Sequence, residues 1–256
     1  MIRFAQRSLG PAALLAAQLL FAHHAARAAA PDLPSADSIL QRYIDVTGGA
    51  KAYDSIKTEV ATGTFTMAAA GIKGTITSYS SAPNLAYAVI DLAGVGKLEE
   101  GTDGKIAWEN SALQGARIKS GDEAADTLLE AAMDLHTNWK KYFKSAEVTG
   151  TEEVQGKLCY KVLVTPFQGA PDTRFYEKDS GLLVKEAGTH DSQMGKVPAE
   201  RLIGDYRKQG DLLIPFHTTE SVAGQSFETQ LDKVELNVPI PASRFAVPAE
   251  VQALRK

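Results

Sequence analysis

The sequence predicts a mainly β protein with helices: a curved antiparallel sheet, an incomplete β-barrel of about ten or eleven strands, with helices over its concave face. Three observations predict it. From Thr58 almost to the end, strand-like runs alternate with turn signals. The turns are short, so neighbouring strands pair antiparallel, because parallel pairs need long crossovers. The strands also fail to alternate cleanly. Val60, Gly63, Phe65 and Met67 do not keep one parity, and both parities of 158–164 are largely apolar. Such a sheet needs cover on both faces, and only two blocks of the chain have helical spacing. A strongly curved sheet with the helices laid against its concave side answers both demands.

The chain opens like an export leader. Arg3 and Arg7 give a basic start, an apolar stretch runs over 11–22, and small residues fill 25–30. The apolar stretch is shorter than the ~20 residues of a membrane span. Cleavage after Ala28 satisfies the A-x-A pattern and keeps Pro31 away from the first mature position. No Cys lies near that site to carry a lipid, and Arg3 and Arg7 are not adjacent, so neither a lipid anchor nor a twin-arginine route is expected. The expectation is a signal peptide over 1–28, one domain over 29–256 and, in a Gram-negative cell, a soluble periplasmic product.

The elements then follow in order. Ser35 or Asp37 caps a first helix whose stripe is Ile39, Leu40, Tyr43, Ile44 and Val46, and Gly48-Gly49 stops it. A shorter helical piece covers 50–56. Strands are expected at 60–67, 72–79, 85–92, 96–100 and 105–108, the last pair joined by a tight turn at Asp103-Gly104. Residues 122–143 read as one helix, with Ala124, Leu128, Leu129, Ala132 and Met133 at helical spacing and Trp139, Tyr142 and Phe143 continuing the face. Strands resume at 147–150, 157–165, 173–177, 182–186, 201–208, 212–220 and 226–236. The polar, glycine-containing stretch 188–197 reads as an exposed, mobile loop.

Composition excludes some functions. The whole chain carries a formal charge of −4; without Arg3, Arg7 and Arg27 it holds 24 basic against 31 acidic residues. A net negative surface with no basic run repels phosphate backbones, so nucleic acid is not an expected partner. The single Cys, Cys159, cannot form an intramolecular disulfide and reads as a buried strand residue. His136, His190 and His217 remain after the leader. Asp134, His136, His190 and Asp191 match no compact metal spacing. No G-x-S-x-G, H-E-x-x-H or phosphate loop is present, and the acid pairs lie at turns or a helix start. No catalytic residue, metal or cofactor is therefore expected.

Several motifs, in order, resemble a known family. They are Thr58–Phe65, the segment Ser80-Ser81-Ala82-Pro83-Asn84, the hairpin Asp103-Gly104-Lys105-Ile106-Ala107-Trp108, and the turn Asp179-Ser180-Gly181-Leu182-Leu183. Asp205-Tyr206-Arg207 with Leu213-Ile214-Pro215 follows, and Val234-Glu235-Leu236-Asn237 through Phe245 and Pro248 closes the chain. Together they resemble the LolA-like, outer-membrane lipoprotein-sorting family of exported proteins. The resemblance implies a half-barrel with helices across its mouth, holding acyl chains or another apolar ligand. Family carriers of lipoproteins also use an arginine on an early strand to hold the helical lid. This chain has none between Arg42 and Arg117, and its early strands offer Lys57, Lys73 and Lys97.

The expected function is a periplasmic carrier or binding protein for a lipid, lipoprotein or other apolar ligand, with an envelope membrane protein as a further partner. The alternatives are a scaffold of an envelope complex with a filled cavity and, third, an enzyme. Leu128, Leu129, Met133 and Trp139 are the candidate lid residues; they serve equally as plain core. Phe65, Met67, Ile76, Tyr87, Val89 and Trp108 are the candidate facing wall. Met67, Met133 and Met194 are adaptable fillers suited to a ligand of varied shape.

Overall fold

A computed structural model describes residues 33–192 and 195–255. The leader expected over 1–28 and the filler Met194 lie outside the described residues. Ser35 caps the first helix, α1 (Ala36–Val46), by accepting the Ser38 N–H at 3.2 Å. Its stripe buries Ile39, Leu40, Tyr43 and Ile44, while Val46 stays exposed. The chain leaves α1 through Thr47, whose buried hydroxyl donates to the Tyr43 carbonyl at 2.6 Å. Gly48 follows at φ 135, where a Cβ would stand 2.5 Å from the Asp211 carbonyl oxygen. Only glycine allows that approach, and it lets Leu213 N–H donate to the Thr47 carbonyl at 2.9 Å. A short α2 (Ala50–Ser55) then leads into the sheet.

Among the described residues, thirteen antiparallel strands form one sheet. The first flank holds β1 (Thr58–Met67), β2 (Ile72–Ser81), β3 (Leu85–Leu92), β4 (Gly96–Thr102), β5 (Ala107–Ser111) and β6 (Gly115–Ile118). After α3 (Gly121–Glu130) come β7 (Phe143–Val154), β8 (Lys157–Pro166), β9 (Asp172–Glu177) and β10 (Leu183–Ser192). The last three are β11 (Gly195–Gln209), β12 (Leu212–Val222) and β13 (Gln225–Leu236), with α4 (Ala249–Gln252) near the end. The spatial order is β6-β5-β4-β3-β2-β1-β13-β12-β11-β10-β9-β8-β7. The expected curved, unclosed sheet is present, with more strands than anticipated.

Three expectations are corrected. Strand β6 is too short and too polar to register as a run, and completes a hairpin with β5. The helix expected over 122–143 ends at Glu130. Beyond it Asp134 organises turns: its carbonyl accepts from Asn138 N–H at 2.9 Å, and its carboxylate accepts from Lys141 at 3.1 Å and from Tyr142. These local partners compete with helix continuation, and Trp139–Lys141 forms one 3₁₀ turn before Phe143 starts β7. Of the stretch 188–197, read as loop, residues 188–192 and 195–197 are paired strand. Gly188 through Ser192 pair with Ala199 through Gly195, extending β10 and β11 past their expected ends.

Pairing registers assign the faces. Glu109 lies opposite both Glu100 and Arg117, so these three share a face, and α3 packs on it through Arg117–Glu123 pairs at 2.6 Å. At the other flank α3 reaches β10 and β11, where Arg201 pairs with Glu130 at 3.3 Å. Strands β5 and β10 stand eight places apart in the sheet. At ~4.8 Å per strand that is roughly 38 Å along a flat sheet, whereas a ten-residue helix is about 15 Å long. The sheet therefore curls around α3, and α3 lies on the concave side.

The concave face near β8–β9 is closed by α1, whose Ile39, Leu40 and Tyr43 pack with Phe143, Val162, Val164, Tyr176 and Leu183. The convex face has its own covers. Trp108 lies opposite Gly101 and Ile118, facing away from α3, and is sealed beneath Val247 and Val251 of the C-terminal tail. Arg244 stacks over Tyr79 and Tyr87 at 4.6 and 5.7 Å, and Arg255 pairs with Asp103 at 3.0 Å. On the other flank Phe175 lies between Lys161 and Lys185 on its neighbouring strands, and both ammonium groups sit over its ring. Their aliphatic stems shield a cluster of Val154, Cys159, Phe175 and Val184. Cys159 is fully buried, as expected of a strand residue.

Val251 is completely enclosed, so Val251→Ala is expected to lower unfolding free energy by about 1–3 kcal/mol. Leu254→Ala, at an exposed position of the same tail, should change it by less than about 0.5 kcal/mol. Urea denaturation of both variants checks this; equal effects would mean the tail is not a cover.

Candidate functional site

A cavity of about 630 Å³ lies between α3 and the concave face. It falls within the ~300–1,000 Å³ of small-molecule sites. Its apolar wall includes Tyr43 of α1, Leu129 of α3, Leu135, Leu183, Ile203 and Tyr206. Its floor is charged, and the strand registers explain why. One cross-strand row runs Met67, Phe227, Glu220, Arg201, Glu186, Arg174 and Val162 over seven neighbouring strands. The row is apolar at both ends and alternates in sign through its middle four residues. Directly opposed cross-strand residues stand ~4.5–5.5 Å apart, so opposite charges there attract.

Distances confirm the ladder. Arg174 Nε lies 3.3 Å from Asp172 and 3.6 Å from Glu186; Arg201 reaches Glu186 at 3.5 Å and Glu130 at 3.3 Å. Arg174 is only 7% exposed and also stacks over Phe143 at 4.9 Å. Burial pushes the Asp172 carboxyl above its ordinary value, with Arg174 opposing that shift. His136 opens on the cavity, walled by Tyr43 at 5.3 Å and Tyr53 at 5.8 Å between ring centroids. Burial, then the charge of Arg174, push its pKa down to about 4, so it is neutral at pH 7.

α3 spans the cavity as a strap held at both ends by charge. On one side Arg117 grips Glu123 through two hydrogen bonds, 2.7 and 2.6 Å, and Lys119 donates to Thr127 at 3.2 Å. On the other, Lys196 pairs with Asp122 and Arg201 with Glu130. No residue of α3 is fully buried. The strap-holding cations thus come from β6, the residue just after it and β11, not from an early strand.

The ten predicted site residues separate by face. Leu129 lines the cavity, and Leu128 is half-buried on the same helix. Met133 follows the helix and donates its N–H to the Pro83 carbonyl at 3.1 Å; Trp139 packs against the α1 cluster with Leu129 and Leu135. Phe65, Met67 and Ile76 are on the concave face, and Phe65 stacks on Phe227 at 6.0 Å. Tyr87, Val89 and Trp108 are on the convex face, with Tyr87 6.1 Å from Trp108 and bonded to Glu99. The expected single wall is therefore divided by register. Sequence reading missed Arg174, Glu186, Arg201, Tyr206 and Glu220. Charged residues inside strand-like runs were the available signal.

No protein-family model matches the chain, and no curated protein matches its sequence. Solved structures do match in shape. A LolA superfamily protein from Nitrosomonas europaea has 11% identity and a TM-score of 0.56, over 84% of this chain and 99% of its own. A DUF1329 family protein from Desulfovibrio piger has 13% identity and a TM-score of 0.55, over 82% and 97%. A domain named for outer membrane lipoprotein sorting, from Vibrio parahaemolyticus, has 12% identity and a TM-score of 0.52, over 82% and 97%. The fold is LolA-like. At such identities the likeness concerns the fold alone. Among the described residues of this LolA-like chain, no helix is long and apolar enough to cross a membrane, and no group of three or more His, Cys, Asp or Glu is placed to hold a metal.

Two outcomes follow. His136 has a folded-state pKa of about 4 against an ordinary 6.5, so the folded state binds fewer protons between those values. Stability is expected to fall as pH drops from 6.5 towards 4, by up to about 3 kcal/mol. His136→Gln should remove that slope in urea titrations at several pH values. Salt should loosen the strap, because its charge pairs are partly exposed and screened. Amides of 121–130 are expected to exchange several-fold faster in about 1 M than in about 0.05 M NaCl, with β12–β13 unchanged. Equal exchange would show that apolar packing holds α3.

Proposed function

We propose that the chain is an exported, non-catalytic binding or carrier protein of the cell envelope that holds an amphiphilic ligand beneath α3. One observation carries the reading: a cavity of about 630 Å³ with an apolar wall, closed by a helix that has no fully buried residue. A helix held by charge pairs and by the partly buried Leu129 can swing aside at less cost than one with a fully buried face. Leu129, Leu135, Leu183 and Ile203 offer a tail apolar contact, and each buried CH₂ contributes ~0.8 kcal/mol. The LolA-like fold and the leader-like first residues support this reading, as does the lipoprotein sorting named for one structural neighbour. The charged floor revises the ligand from purely apolar to amphiphilic, because a hydrocarbon laid on the ladder would strip its water without replacing it. His136, neutral and set edge-on against Tyr43, acts as wall.

Leu129→Trp tests the reading. Added bulk in a filled core costs ~1–3 kcal/mol, while bulk entering a cavity costs little. Binding of a fluorescent acyl-chain probe should fall by on the order of tenfold or more, with stability changed by less than about 1 kcal/mol. Lost stability with probe binding intact would favour a scaffold with a filled core.

A further inference from the structure

We infer that the ligand of this cavity carries a positive charge, an alkylammonium or amine head on an apolar tail. The inference rests on the binding-protein reading and adds the sign of the head group. Its first ground is the occupancy of the arginines. Arg174 is engaged by Asp172 and Glu186, and Arg201 by Glu186 and Glu130, with Glu220 directly opposite it on β12. Two guanidinium groups are thus shared among four carboxylates. Their positive charge is already balanced, so the pair does not call for a phosphate, sulfate or fatty-acid carboxylate. The third cation on the lining, Lys119, is engaged by Glu100 at 2.8 Å. An anionic head would enter a cluster already negative, whereas a cation would balance it.

The second ground is independent of the acids. Tyr43 and Tyr206 line the same cavity, and Tyr43 packs edge-to-face on Tyr176 with centroids 5.6 Å apart. A tyrosine ring within about 6 Å attracts an ammonium group through its quadrupole. His136, on the same wall, does not oppose a cation, since it is uncharged at neutral pH. The apolar residues Leu129, Leu135 and Ile203 then take the tail.

Calorimetry with three probes of one tail length tests this on the full mature chain: decyltrimethylammonium, decanol and decyl sulfate, all below micelle formation. The cationic probe is expected to bind at one per chain, at least about tenfold tighter than decanol, with decyl sulfate weakest. Glu220→Gln should narrow the gap between cation and alcohol several-fold, and Leu129→Trp should weaken both. Decyl sulfate binding as well as the cation would overturn the inference and leave the carrier reading standing. So would a cation stoichiometry above one that Glu220→Gln does not alter, which marks surface adsorption. Failure of all three probes would overturn both readings. Tetramethylammonium binding as tightly as the decyl cation would overturn the apolar tail and leave the positive charge standing.

Discussion

The distance between the two flanks of the sheet governs the rest of this structure. A single ten-residue helix touches strands eight places apart, which only a curled sheet permits. Curling supplies a concave side deep enough to leave volume under α3. It also leaves a convex side that no helix from the concave layer can reach. The chain covers that side by other means: a C-terminal tail over Trp108 on one flank, and lysine stems over Phe175 on the other. The cavity and both covers are consequences of one geometric constraint.

The same curvature sets the character of the cavity floor. The row from Met67 to Val162 could have been apolar throughout, as both its ends are. Its charged middle coincides with the open volume, and its apolar end at Val162 coincides with the packed contact against α1. Burying charges costs several kcal/mol per ion unless each is well paired. The alternating signs provide partners across neighbouring strands, and access to the cavity spares part of the desolvation. The ladder is tolerable where the sheet faces space and would be costly where it faces a helix.

Much of the architecture was legible in the sequence because it depends on local signals. Ser35, Gly48 and Asp103-Gly104 mark a cap, a helix exit and a hairpin through backbone chemistry that acts over a few residues. The curved sheet followed from the two-sided apolar character of 158–164, where Cys159 and Val162 are indeed buried on opposite faces. The end of α3 was not legible, because Ala132, Met133 and Trp139 keep helical spacing while the Asp134 side chain captures the turns. The candidate wall was only half legible. Phe65 and Tyr87 look alike along the chain, and only the pairing of β1, β2 and β3 sends them to opposite faces.

The charged floor illustrates the deeper limit. Arg174 sits between Thr173 and Phe175, Glu186 after Lys185, and Arg201 after Glu200, so each reads locally as an ordinary solvated strand residue. Their alignment depends on the bulge between Leu183 and Lys185, which brings Glu186 opposite Arg174. Without that one-residue shift Glu186 would face the convex side, and Arg174 would lose the partner that helps keep it charged within the fold. A single irregularity in one hairpin therefore decides whether the cavity floor is an alternating ladder or leaves Arg174 to Asp172 alone. Any ligand that fits this cavity must be compatible with the ladder that the shift creates.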